Sequence, residues 1–175
     1  VWHTQGAGKS FEMACLAGRL LSEPRLENPT LVVVTDRTDL DGQLYGVFAS
    51  AGSLLAESPQ QVDSRADLRE KLGNRPSGGI IFTTIQKFAP DEGHSRLAPL
   101  SQRRNIVVIC DEAHRIRTTS VNRFTRKDNR SGKEQIEELL DVAKVAVFFI
   151  DDLQVVRPGE IGSADLIVEA NDVRK

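Results

Sequence analysis

A chain of 175 residues has the length of a single domain, enough to bury roughly 70% of its unfolded surface. Its formal net charge of −2 and isoelectric point near 6.0 give no global pull toward nucleic acid or membrane, so any such contact must come from a local patch. Cys15 and Cys110 fall on a predicted helix and a predicted buried strand and read as small core residues, not as a disulfide. The longest fully apolar run, residues 145–150, is too short for a bilayer. With no signal peptide in view, a soluble, cytoplasmic setting without a membrane partner is expected.

Residues 1–2 read as the end of a strand whose start lies upstream, which makes the chain a piece of a longer polypeptide by expectation. Residues 3–10, HTQGAGKS, follow as a phosphate-binding loop. Gly6 and Gly8 let the backbone turn its N–H groups inward, so that Thr4, Gln5, Gly6, Ala7, Gly8, Lys9 and Ser10 form the candidate ATP-binding set. Lys9 brings a point charge to the terminal phosphates, and the Ser10 hydroxyl is suited to Mg²⁺. His3 stands where the usual spacing asks for glycine. A glycine-rich turn that happens to precede Lys-Ser is the alternative reading. A helix over residues 10–21, with Phe11, Leu16 and Leu20 on its apolar face, adds the positive end of its dipole to the same place.

Residues 30–35 form the next strand, and 38–51 a helix behind an Asp-rich start. Residues 64–72 read as a short charged helix and 79–85 as a strand. Residues 105–110 are a strand of continuous apolar, β-branched character, as in a buried parallel sheet. It runs into two adjacent carboxylates. Because sites of open α/β sheets lie beyond the carboxyl ends of strands, Asp111 and Glu112 are expected beside the phosphate loop. Asp111 is placed to hold Mg²⁺, and Glu112 to orient and deprotonate an attacking water. A helix N-terminus decorated with acids is the alternative. A helix over 134–144, a strand over 145–150 and a helix over 162–170 complete the alternation, which predicts an α/β fold with a mostly parallel sheet and helices on both faces. No internal repeat interrupts it.

From residue 1 to about Arg115 the sequence resembles the motor subunit of type I restriction enzymes. VWHTQGAGKS, VVVTDRTDLDGQL (32–44), GIIFTTIQKF (79–88) and VVICDEAHR (107–115) match that family's helicase motifs in order. The resemblance implies a RecA-like P-loop ATPase domain, a superfamily 2 translocase that moves duplex DNA with ATP and Mg²⁺. It also implies a second RecA-like domain elsewhere in the parent chain. By the same resemblance, Thr35 and Arg37, with Thr84 and Gln86, line the face that touches the nucleic-acid backbone. For Arg37 a salt bridge with Asp36 or Asp39 is the alternative.

Beyond Arg115 the resemblance changes. Residues 111–165 are similar to the Schlafen-group helicase-like ATPases of bacteria, in which a strand ends in a short acidic turn and a glutamine that senses the γ-phosphate. Here that is Ile150-Asp151-Asp152-Leu153-Gln154. A neutral amide at that place accepts from the attacking water and donates to a phosphate oxygen, so Gln154 joins Lys9 and Glu112 as a candidate catalytic residue. An ordinary loop glutamine is the alternative, and Asp151 and Asp152 read as caps of the next turn before Mg²⁺ contacts.

Residues 115–133 carry seven basic side chains, Arg115 and Arg117 first, against the single Asp128, a net charge of +6. This reads as a phosphate-tracking loop, with Arg117 a candidate nucleic-acid contact, or as a solvated loop. His3, His94 and His114 lack zinc-ligand spacing, and His114 reads as a relay between the acid pair and its neighbours. Two function classes follow: a nucleic-acid-stimulated ATPase of helicase or translocase type, or an ATP-binding regulatory switch with weak or no hydrolysis.

Overall fold

Four apolar runs and one pair of glutamines become parallel strands: β1 (Thr30–Thr35), β2 (Gln60–Gln61), β3 (Ile80–Thr84), β4 (Ile106–Cys110) and β5 (Val145–Phe148). The computed structural model describes residues 8–35, 38–88, 100–117, 136–137, 139, 145–150 and 162–172. The sheet order is β2-β3-β1-β4-β5, and every pairing is parallel. β1 is central: Val32 sits between Ile81 of β3 and Val108 of β4. All six of its residues are buried, as a strand covered on both faces requires.

Alternation along the strands divides the core in two. Leu31, Val33, Phe82, Val107 and Ile109 face one side. There they meet helix α1 (Lys9–Leu21), helix α2 (Thr38–Ser50) and the short helix α3 (Gly52–Leu55) through Met13, Ala14, Ala17, Leu44, Phe48 and Leu55. Val32, Val34, Ile81, Ile106 and Val108 face the other side. Leu68 and Leu72 of helix α4 (Arg65–Gly73), Phe88, Ile136 and Leu139 cover it, and Ile167 and Ala170 of helix α5 (Ala164–Asp172) pack against its edge. This is the α/β arrangement with helices on both faces that the alternating pattern predicts. Residues 136, 137 and 139, the described part of the expected 134–144 helix, are helical.

Several elements differ from expectation in physically instructive ways. The buried face of α1 is made of Met13, Ala14, Ala17 and Gly18, not of Phe11, which is 70% exposed. Small residues let the helix lie close to the sheet; at Gly18 an added Cβ would come within 2.9 Å of Leu54 on α3. Cys15, four residues from Phe11 on the same stripe, is exposed, whereas Cys110 is buried as expected. The expected 38–51 helix stops at Ser50 and gives way to α3. β2 has no apolar residue of its own and pairs as an edge strand, Gln60 with Ile81 and Gln61 with Phe82. No helix among the described residues is long and apolar enough to cross a membrane.

Candidate active site

α1 starts at Gly8, which adopts φ +81°, a left-handed conformation that a residue with a Cβ enters only with strain. Among the described residues no side chain caps the helix, and the positive end of its dipole lies beside Lys9 and Ser10. Both residues are half-buried. Thr4, Gln5, Gly6 and Ala7 lie outside the described residues.

The acid pair emerges at the carboxyl end of β4, one strand from the centre of the sheet. Asp111 prolongs the ladder by one residue, its N–H donating to the Val34 carbonyl at 2.8 Å. The residue is 8% exposed, and a carboxylate so enclosed requires a counter-charge. Lys9 supplies it: Nζ stands 2.6 Å from Asp111 Oδ1. The phosphate-loop lysine and the strand-end aspartate, far apart in the chain, are thereby brought together.

Glu112 reverses the chain direction with φ +51°, unusual for a residue with a side chain. Its N–H donates to Asp111 Oδ1 at 2.9 Å, so that one carboxylate oxygen serves both Lys9 and the turn. The Arg115 N–H donates to the Glu112 carbonyl at 2.9 Å and closes a 3₁₀ turn, Ala113–Arg115. Across that turn Arg115 Nε lies 2.7 Å from Glu112 Oε2. Two further bonds of 2.9 Å, Ala113 N–H to the Phe149 carbonyl and Phe149 N–H to the Cys110 carbonyl, tie the acid turn to the end of β5. A cavity of about 10 Å³, the size of one water, lies under the turn between Thr35, Ile85, Cys110, Asp111, Glu112 and Arg115.

Among the described residues, Ser10, next to Lys9 in the chain, carries a hydroxyl and Asp111 a carboxylate. These are hard oxygen ligands of the kind that suit Mg²⁺ when phosphates and water complete its shell. Gln154 lies outside the described residues, as do Asp151, Asp152, Arg37, His3 and His94; the His114 side chain is likewise outside them.

The residues expected on a nucleic-acid face separate into two groups. Thr35 and Thr84 are in register at the ends of β1 and β3, and only 2% and 5% exposed. Central strands sandwiched between helical layers bury their last residues too. Among the described residues the Thr35 hydroxyl has no hydrogen-bond partner. Gln86 and Arg117, in the segments that follow β3 and the acid turn, are exposed. Arg115, read from the sequence as part of the basic loop, instead turns inward to Glu112. The signal for this was present in the Glu-x-x-Arg spacing, since side chains three residues apart eclipse in a 3₁₀ turn.

Comparison with known proteins agrees with this geometry. The family model for the SWI2/SNF2 ATPase matches residues 1–148. The chain is 56% identical over 115 residues to the type I restriction enzyme HindI endonuclease subunit of Haemophilus influenzae, covering 66% of this chain and 11% of that one. It is 45% identical over 115 residues to the type I restriction enzyme MjaIXP endonuclease subunit of Methanocaldococcus jannaschii, with the same coverage. A third relative, the MjaVIIIP endonuclease subunit of the same archaeon, is 24% identical over 148 residues, 78% of this chain and 14% of the relative. The chain thus spans a small fraction of the length of the curated relatives it matches.

Proposed function

The chain belongs to the SWI2/SNF2 ATPase family, and from that membership we propose that it is the nucleotide-binding half of a motor that moves along duplex DNA as part of a type I restriction system. The observation that carries the proposal is the contact of Lys9 with Asp111, which joins the phosphate-binding loop to the acid-ended strand at one place. The names of the relatives support the restriction setting.

In this reading the loop from Thr4 to Ser10 cradles the phosphates of ATP, and Ser10 and Asp111 hold Mg²⁺. The ion, when bound, neutralises charge on the phosphate oxygens. Lys9 and Asp111 are paired with each other, and an Mg²⁺-bound phosphate chain offers each of them a partner of the sign it already has. The exchange of partners therefore leaves no charge unpaired. Glu112 polarises the attacking water, and Gln154 reads the γ-phosphate. Gln86, Arg117 and Arg37 contact the nucleic-acid backbone, and a second RecA-like domain closes the site. Phosphate contacts of this kind are independent of sequence and grow weaker with salt.

The test is the rate of ATP hydrolysis by the polypeptide that carries this domain, with and without duplex DNA. DNA is expected to accelerate turnover, and duplex more than single strands. Nucleotide binding without any acceleration by DNA would instead identify an ATP-binding switch.

A further inference from the structure

We propose that Arg115 is a positioning residue for Glu112: its guanidinium holds one carboxylate oxygen and so fixes the direction in which the other meets the attacking water. The proposal rests on Glu112 acting on that water, as set out above.

The geometry is specific to the pair. Arg115 Nε lies 2.7 Å from Glu112 Oε2. Oε2 and Nε are both sealed from solvent and meet as an ion pair without hydrogen-bond alignment, and the two side chains are 11% and 19% exposed for Glu112 and Arg115. A glutamate side chain has several rotatable bonds, and free of contacts it would sample many directions. Here both ends of the contact stand on a backbone that is tied down. Glu112 is pinned at its N–H by Asp111 Oδ1. The turn is closed by Arg115 N–H on the Glu112 carbonyl and anchored by Ala113 N–H on the Phe149 carbonyl. Ile116, the next residue, is buried, and its carbonyl accepts from the Gly162 N–H at 3.2 Å. The planar fork of a guanidinium restricts the approach of a carboxylate, which an ammonium does not. A general base acts only within hydrogen-bond reach of the water it deprotonates, so an oxygen held in place shortens the search for that arrangement.

Two other roles compete: a purely structural ion pair, and a phosphate contact from the basic stretch. Arg115→Gln and Arg115→Lys in the polypeptide that carries this domain separate them. With DNA saturating, Arg115→Gln is expected to lower kcat on the order of 10²-fold, as for a misplaced reacting group. The KM for ATP, the affinity for ADP and the affinity for DNA should stay unchanged. Arg115→Lys should recover part of the loss. In a Glu112→Gln background, Arg115→Gln should lower kcat no further, because its effect runs through the missing carboxylate. The pairing itself is read without turnover. In thermal unfolding without nucleotide, the double variant should lose no more stability than the more damaging single one. An unchanged kcat for Arg115→Gln would overturn the proposal. So would a loss matched by weaker DNA binding, an additive loss in the Glu112→Gln background, or additive losses of stability. If Glu112→Gln alone leaves turnover intact, the catalytic reading of Glu112 fails first, and that result is distinct from all of these.

Discussion

At the scale of single residues, two charges of opposite sign have different work to do, and substitution separates them. Lys9 is proposed as the positive group that an incoming phosphate chain meets, so Lys9→Ala should weaken binding of MgATP and MgADP in a titration with a fluorescent analogue. Glu112 is expected to act on the water, so Glu112→Gln should leave both affinities in place and slow steady-state turnover by roughly 10² to 10⁴. Loss of binding in Glu112→Gln with unchanged turnover per bound nucleotide would reverse the assignment. Much of this site was legible in the sequence, for a physical reason. A phosphate loop and an acid-ended buried strand are each local patterns, and the open α/β rule brings them to one end of the sheet. The contact between Lys9 and Asp111 is where that rule shows in the fold. Arg115 was not legible in the same way. Its place in a run of basic residues suggested solvent and phosphates, and the demand of an enclosed carboxylate next to it outweighed that pattern. Nor did the sequence reveal that Thr35 and Thr84 end buried strands, because a threonine at a strand end reads equally well as exposed.

At the scale of elements, strands were easier to read than helix faces. β1, β3 and β4 are continuous apolar runs, and they lie within a residue or so of their expected limits. For α1 the apolar periodicity pointed to Phe11, Leu16 and Leu20. Leu16 and Leu20 do pack against the core, half-buried, while Phe11 is exposed and Met13 with the small Ala14, Ala17 and Gly18 makes the fully buried face. β2 has no hydrophobic signal at all, and it exists because the edge of β3 offers unpaired backbone groups. The tight approach of α1 and α3 gives a direct test. Gly18→Val should destabilise the fold by about 1–3 kcal/mol through overpacking against Leu54. Gly18→Ala should come out near neutral, since the gain in helix propensity, about 1 kcal/mol, offsets the displacement of a half-exposed leucine. Urea denaturation of the two variants measures both. Equal losses for alanine and valine would mean that the glycine serves some other purpose than close packing.

At the scale of the whole molecule, the site occupies one end of a single sheet, and the reading given above assigns part of the chemistry to a second domain. The 175-residue chain by itself should therefore bind MgATP yet hydrolyse it slowly, because an arginine supplied by a partner typically contributes roughly 10³ to 10⁵ in rate. Brisk turnover by the purified chain, measured by phosphate release, would show that no partner completes the site. The strand order also has a consequence for how the chain is made. β1 lies between β3 and β4, yet it leaves the ribosome well before either, since β3 begins at Ile80 and β4 at Ile106. At about 5–20 residues per second, this fully buried central strand waits on the order of seconds with both edges bare. During that interval α1, α2 and α3 on one face and α4 on the other, all complete before β3 emerges, are at hand to shelter its faces. These helices thus serve first as a shield for a growing chain, and the bare edges of β1 are where a chaperone has most to cover.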